Sequence, residues 1–340
     1  MINKINSNEL DYNLPSKNIK QIPYLERDQS LILNAHNNNI IKFSNIIDFL
    51  PIETTLVLNK SSVQKVRVLA KNKLTGGKFE IFILNIIDKH TFECLLQSRS
   101  LKTLETVLIV NNYEMRINSR KDNVFNISLL NSTCEKLIDE HGRIPLPPYI
   151  IDDEKKYSYY QNEYAEGGFS VAAPTAGLHF SNRLLEQLSN KGIKIKFLSL
   201  DVGLDTFLPI KTEFVDDHKI HNESYIINED LIEHITKEKK NGNKIVCVGT
   251  TTLRALESAY QSNPPIISGE TELFIKRGYK YKIADGLITN FHAPKSSLIA
   301  IIDSILGSEW KNLYEYALES GMKFLSFGDS MYIEINRCKT

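Results

Sequence analysis

Between Val63 and Leu130 the chain carries six short apolar runs, VRVLA, FEIFILNII, TFECLL, TVLIV, YEMRIN and VFNISLL, with no stretch between them long enough for a helix. Turn residues such as Thr75-Gly76-Gly77 and Asn111-Asn112 separate the runs. Strands at this spacing are joined by hairpins, and they predict a small antiparallel barrel or sandwich. A short helix is expected from Cys134 to Gly142. The prolines of Ile144-Pro145-Leu146-Pro147-Pro148-Tyr149 then stiffen the exit.

After Ile150 the period changes. The strand-like segments IKFLSLDVG, KIVCVG, LITNF and MKFLSFGDSMYIEI alternate with the helix-like segments EDLIEHITKEKKNG, LRALESAYQ and SLIAIIDSILG. Alternation of this kind predicts an α/β layer structure with a parallel or mixed sheet, whose ligands bind beyond the carboxyl ends of the strands. The expected architecture is a discontinuous α/β domain, residues 1–62 and 150–340, with an inserted antiparallel β-barrel domain over 63–149. In the first part, residues 9–33 read as an arm draped on a larger body. Phe43 to Asn59 reads as a short amphipathic helix followed by the strand Thr55-Leu56-Val57-Leu58.

Charge bears on the choice of partner. Lys plus Arg and Asp plus Glu both number 41, so no net field draws the chain to nucleic acid, and RNA binding has to use a local patch. Cys94, Cys134, Cys247 and Cys338 form no CxxC pair, and the segment MINKINSNELDYNL has no apolar signal core. The expectation is a soluble, cytoplasmic protein, monomeric and without a membrane partner.

Four stretches combine residue types that could carry chemistry. In Ser170-Val171-Ala172-Ala173-Pro174-Thr175-Ala176-Gly177-Leu178-His179-Phe180, small residues around one proline and one glycine let a ligand or a second backbone approach closely. A helix from Asn182, capped by Ser181, is expected to follow. A buried, hydrogen-bonded His179 in a plain strand-to-helix connection accounts for the stretch equally well.

Gly249-Thr250-Thr251-Thr252-Leu253-Arg254 joins a strand to a helix, so its N–H groups are placed to hold a carboxylate or phosphate. It is neither a Walker loop nor a dinucleotide fingerprint, and N-capping by threonine accounts for it nearly as well. Thr289-Asn290-Phe291-His292-Ala293-Pro294-Lys295-Ser296-Ser297 brings four different polar chemistries into one βα loop, with His292 suited to proton transfer and Lys295 to an anion. His218-Lys219-Ile220-His221-Asn222-Glu223 invites a metal reading, but the segment is not helical and has no HExxH pattern. A hydrogen-bonding or acid–base role for His221 and Glu223 is preferred, with no metal.

Two clusters, Lys155-Lys156-Tyr157-Ser158-Tyr159-Tyr160 and Lys276-Arg277-Gly278-Tyr279-Lys280-Tyr281-Lys282, combine rings that stack on bases with cations that meet phosphates. Solvated hairpin edges would look the same. The neighbours Arg27 and Asp28 are candidates for gripping a ligand or for an exposed ion pair.

Taken together, LPSKNIKQIPYLERDQS, IPLPPYI, YQNEYAEGGFSVAAPTAGLHF, LDVGLDTFLPI, HKIHNES, VGTTTLRALES, GETELFI, DGLITNFHAPKSSL and FLSFGDSM resemble one family over nearly the whole chain. It is the S-adenosylmethionine:tRNA ribosyltransferase-isomerase family of queuosine biosynthesis. The resemblance implies a discontinuous α/β domain with an inserted barrel. It also implies S-adenosylmethionine as co-substrate, with no bound prosthetic group, and tRNA bearing 7-aminomethyl-7-deazaguanine at the wobble position as partner.

The expected products are epoxyqueuosine-tRNA, adenine and methionine. Such chemistry needs a base, assistance to the departing adenine and anchors for the methionine end. His179, His221 and His292, with Glu223, are the candidates for proton transfer. Thr250, Thr251 and Arg254 are expected to hold the methionine carboxylate, with Asn290 and Lys295 placing substrate; Arg27, Asp28, Thr175, Ser296 and Asp329 complete the expected binding set.

The chain departs from the family pattern in four places. Lys60-Ser61-Ser62 stands for Asp-Thr-Arg after the strand LVLN, Leu31 for an arginine, Asp205 for a glycine and Arg277 for a proline. These leave two alternatives, a paralogue that opens the same donor toward another amine and a non-catalytic tRNA-binding relative.

Overall fold

The computed structural model describes residues 4–97, 106–203, 209–220 and 222–335. His221, Asp205 and Cys338 lie outside these residues. The chain divides into two compact units, Met1–Val63 with Leu146–Thr340, and Gln64–Pro145.

In chain order the strands are β1 (Leu31–Asn34), β2 (Asn39–Lys42), β3 (Thr55–Asn59), β4 (Arg67–Asn72), β5 (Lys78–Ile86), β6 (Thr91–Gln97), β7 (Val107–Val110), β8 (Tyr113–Lys121) and β9 (Val124–Leu129). They continue as β10 (Lys194–Leu200), β11 (Glu223–Ile226), β12 (Ile245–Val248), β13 (Ser268–Thr271), β14 (Gly286–Asn290) and β15 (Ser330–Glu334). The α-helices are α1 (Cys134–His141), α2 (Asn182–Asn190), α3 (Glu229–Lys240), α4 (Thr250–Ala259), α5 (Ser297–Leu306) and α6 (Trp310–Glu319).

Among the described residues the larger unit holds a nine-stranded sheet in the order β13-β11-β10-β3-β12-β14-β15-β1-β2. Its centre is parallel, with β3 between β10 and β12 and β12 beside β14. β15 is antiparallel to β14, which makes the sheet mixed. Every residue of β3 is buried, as expected of a strand covered on both faces.

Alternate residues of β3 serve opposite layers. Val57 joins the core built with α3, α4, α5 and α6, while Leu56 and Leu58 join the one built with α2, Phe43 and Ile46. The smaller unit is a closed antiparallel barrel, β4-β5-β6-β9-β8-β7. Its strands alternate buried and outward residues, as in β9. α1 ends at Gly142, as its sequence suggested.

Several expectations are corrected. Phe43–Phe49 is a short 3₁₀ run interrupted by non-helical backbone at Asn45 rather than an amphipathic α-helix, although Phe43 and Ile46 are buried as an amphipathic segment would have them. Of MKFLSFGDSMYIEI only Ser330–Glu334 is strand; a tight turn precedes it. Glu154–Tyr159 is a 3₁₀ helix, and Lys276–Lys282 is irregular rather than a hairpin edge.

Two of the suggested stacking rings in the second cluster turn inward. The Tyr279 hydroxyl donates to Glu257 (3.0 Å) and Tyr281 bonds Ser304 (2.6 Å). β11, β13 and α6 carried no clear sequence signal.

Gly328 closes the turn before β15. A Cβ there would lie 2.5 Å from the Lys323 carbonyl oxygen and 2.6 Å from the Phe324 nitrogen, both backbone atoms. Gly328→Ala is therefore expected to force the turn apart and cost on the order of 1–3 kcal/mol of stability in urea unfolding. A variant as stable as the parent would show that the turn can yield.

Candidate active site

The parallel strands β10, β3, β12 and β14 point their carboxyl ends to one side, and a cleft opens there. It consists of two recesses that share Thr250, Thr251 and Leu298. The first is lined by the Ala173-Pro174-Thr175-Ala176 loop, by Asn290 at the end of β14, by His292 and Ser296 beyond it, and by Tyr149, Leu325 and Ser326. The second is lined by His218, Lys219, Glu223, Arg254, Phe274 and Ile301, among others.

At the shared wall β12 passes directly into α4. The junction, Gly249, has φ 90°, a left-handed conformation that glycine adopts without strain. A glycine cannot cap with a side chain, and no side chain caps the first-turn N–H groups of α4. Thr252 Oγ1 donates to the Val248 carbonyl (2.7 Å), whereas Thr251 Oγ1 is buried with no protein partner. Asn290 Oδ1 is buried and orphaned in the same way. Buried polar atoms are usually satisfied; of the orphaned side-chain atoms among the described residues, these two line the cleft, and Tyr160, Asn162, Tyr164, Tyr260 and Trp310 carry the others away from its lining.

His292 is held by its backbone. The Tyr12 hydroxyl donates to its carbonyl (2.6 Å), and its N–H donates to the Tyr314 oxygen (3.2 Å). The ring Nε2 pairs with Thr289 Oγ1 (2.9 Å), and Nδ1 has no partner among the described residues. Burial lowers its pKa to about 3.

His179 is 4% exposed and stacks on Phe43, its ring centroid 4.9 Å away. Its pKa is also lowered to about 3, chiefly by burial and then by the Arg27 charge. Leu325 holds φ 68°, a costly conformation for a bulky residue, of order 1–3 kcal/mol. Its N–H donates to Phe291 O (3.1 Å), and its carbonyl accepts from Gly328 N (2.9 Å) and Asn290 Nδ2 (3.1 Å).

Both histidines are neutral in the fold but take up protons near pH 6.5 when unfolded. Between about pH 6.5 and 3 the unfolded chain binds more protons, so their contribution to stability, complete above 6.5, is lost as pH falls. Stability is expected to drop by up to ~1.4 kcal/mol per pH unit for each ring in that window. Urea unfolding at pH 7.5 and 5 measures it; equal midpoints would contradict neutral burial.

Of the sequence-derived candidates, Thr175, Glu223, Thr250, Thr251, Arg254, Asn290, His292 and Ser296 line the cleft. His179 stands behind the lining, and His221 is outside the described residues. Arg254 and Glu223 are paired with each other and buried. The rest of the Arg254 guanidinium is engaged by the Leu273 and Thr271 carbonyls (3.0 and 3.4 Å).

Four candidates lie away from the lining, each for a visible reason. Asp329 accepts from the N–H groups of Leu31 (2.8 Å) and Lys323 (2.7 Å) and from the Tyr24 hydroxyl (2.9 Å). Lys295 reaches Asn8 and Asp11. Arg27 and Asp28 line a separate recess and do not pair with each other: Arg27 meets Glu163, and Asp28 meets Arg183.

Tyr149 and Ser326, bonded at 2.8 Å, also line the first recess. They lie in IPLPPYI and FLSFGDSM, which read in the sequence as a proline-stiffened exit and as part of a closing strand, so neither residue is picked out there as a site residue. Among the described residues no group of three or more His, Cys, Asp or Glu side chains is arranged to hold a metal ion. Nor, among the described residues, is any helix long and apolar enough to cross a membrane.

A family model described as "Queuosine biosynthesis protein" matches residues 7–333. The S-adenosylmethionine:tRNA ribosyltransferase-isomerase of Sulfurihydrogenibium sp. (strain YO3AOP1) is 36% identical over 333 residues, covering 96% of this chain and 98% of that protein. The protein of the same name from Nitrosomonas europaea is 35% identical over 349 residues, covering 98% of each. The crystal structure of an S-adenosylmethionine tRNA ribosyltransferase from Thermotoga maritima matches with a TM-score of 0.54 at 27% identity, covering 96% of this chain and 99% of that one.

Proposed function

Given that the chain belongs to the S-adenosylmethionine:tRNA ribosyltransferase-isomerase family of queuosine biosynthesis, we propose that it transfers and isomerises the ribosyl part of S-adenosylmethionine onto 7-aminomethyl-7-deazaguanine at the tRNA wobble position. Epoxyqueuosine-tRNA, adenine and methionine are the products. The observation that carries the reading is the pair of orphaned polar atoms, Thr251 Oγ1 and Asn290 Oδ1, in one cleft at an uncapped helix N-terminus.

The methionine carboxylate sits at the first turn of α4, where the N–H groups of Thr250 and Thr251 and the helix dipole favour an anion. Arg254 adds positive charge to that end of the cleft, largely balanced by Glu223. Asn290 accepts a bond from the nucleoside, with Thr175 and Ser296 on the same walls. His292 is the proton-transfer group. No charged side chain perturbs its ring, so in the empty cleft it stays neutral; a bound carboxylate raises its proton affinity and so tunes it toward a working base.

The test is incubation of labelled S-adenosylmethionine with precursor-bearing tRNA, followed by nucleoside analysis. Adenine release that depends on the precursor tRNA is expected. Release with small amines and not with tRNA would favour the paralogue reading, which the Lys60-Ser61-Ser62 departure motivates. There Lys60 pairs with Glu166 (2.7 Å), and Ser61 bonds Asp201. Binding of tRNA without turnover would make the chain a binding module.

A further inference from the structure

The hydrogen bonds around His179 form a chain whose proton positions are determined by its two ends. At one end Ser30 Oγ donates to the Arg27 carbonyl (3.2 Å), which can only accept. The Ser30 oxygen is then the acceptor for His179 Nδ1–H (2.7 Å). That places the ring proton on Nδ1 and leaves Nε2 bare. Nε2 accepts from Asn290 Nδ2 at 3.2 Å.

At the other end Asn290 Nδ2 also donates to the Leu325 carbonyl (3.1 Å), again a pure acceptor. A flipped amide would set its oxygen against that carbonyl and is excluded by repulsion. Both amide protons are thus used inward, and Oδ1 is the one end left without a partner. Ser30 is fully buried and Asn290 is 2% exposed, so water competes weakly at every link.

We propose that His179 is a positioning residue: the Arg27–Ser30–His179 chain locks the Asn290 amide so that its oxygen accepts an N–H or O–H donor of bound S-adenosylmethionine. The ring itself transfers no proton, since both nitrogens are committed to holding neighbours. This rests on the proposed donor substrate, and the test separates the two. S-adenosylhomocysteine, which cannot react, is the binding probe, and adenine release from S-adenosylmethionine with precursor tRNA is the activity readout.

His179→Phe keeps the ring stack on Phe43 and removes the acceptor for Nδ2. It is expected to weaken binding about tenfold, as is Asn290→Ala. His179→Gln carries an amide oxygen that can accept from Nδ2; it should bind within about threefold of the parent and keep the parent's pH–rate profile. Ser30→Ala frees the ring to place its proton on Nε2, opposing the Asn290 donor, and should weaken binding in the same direction even if His179→Phe fails to fold.

Parent-like binding in all these variants would overturn the proposal, because the Asn290 oxygen would then meet no ligand. So would a His179→Gln protein that binds normally yet is as inactive as His179→Phe, because His179 would then be moving a proton. A parent protein that neither binds the probe nor releases adenine would instead bring down the donor assignment.

Discussion

Replacing His292 by alanine is expected to slow adenine release by about 10²–10⁴-fold, the usual worth of a positioned proton-transfer group. Affinity for S-adenosylmethionine should change far less. The expectation follows from how the residue is held: its backbone is pinned by Tyr12 and Tyr314, and Nε2 is taken by Thr289. Substrate contact is left to Nδ1 in a cleft without competing titratable groups at the ring. His292→Gln preserves hydrogen bonding but not proton transfer, so it should be as slow as the alanine variant. Single-turnover kinetics with precursor tRNA measures both, and full activity in either would remove His292 from the mechanism. Because burial lowers its pKa to about 3, the unliganded enzyme should show no acid limb near pH 6.5 arising from this ring.

Glu223→Ala is expected to destabilise the fold by about 3–5 kcal/mol, the cost of leaving one member of a buried ion pair alone. Side-chain exposure is 8% for Arg254 and 5% for Glu223, so neither charge can turn to water. The other Glu223 oxygen accepts from the Gly203 N–H (3.2 Å), tying the end of β10 to β11. Arg254→Ala should cost a similar amount by stranding the carboxylate. Glu223→Leu combined with Arg254→Met removes both charges and should recover most of the stability, while S-adenosylmethionine binding stays weakened because the second recess loses its polar wall. Urea unfolding and calorimetric binding separate these effects. Additive losses in the double variant would mean that the two residues are not energetically coupled.

Arg277, which the resemblance sets where a proline is expected, makes two bonds to the buried carboxylate of Asp303 (3.1 and 2.8 Å) and one to Glu9 (3.2 Å). Sequence reading found the substitution but could not find its partners, because Asp303 lies in α5 and Glu9 near the other end of the chain. Arg254 is a similar case. From the sequence it is expected to hold the methionine carboxylate, and in the fold it is half of a buried pair with Glu223.

Local periodicity made much of the architecture readable from the residues alone. Two-residue alternation marked the barrel strands, continuous apolar runs marked β3, β12 and β14, and Ser181 and Gly142 marked helix ends, because each signal needs only near neighbours. The loops Ala173–Ala176 and Asn290–Ser296 were recognisable as cleft walls for the same reason. The roles of the side chains within them were decided only by chain closure: Ser30 meets His179 across 149 residues, and His179 meets Asn290 across 111. Hydrogen-bond partners, burial and proton positions are properties of which distant backbones arrive together, and no window of sequence contains that information.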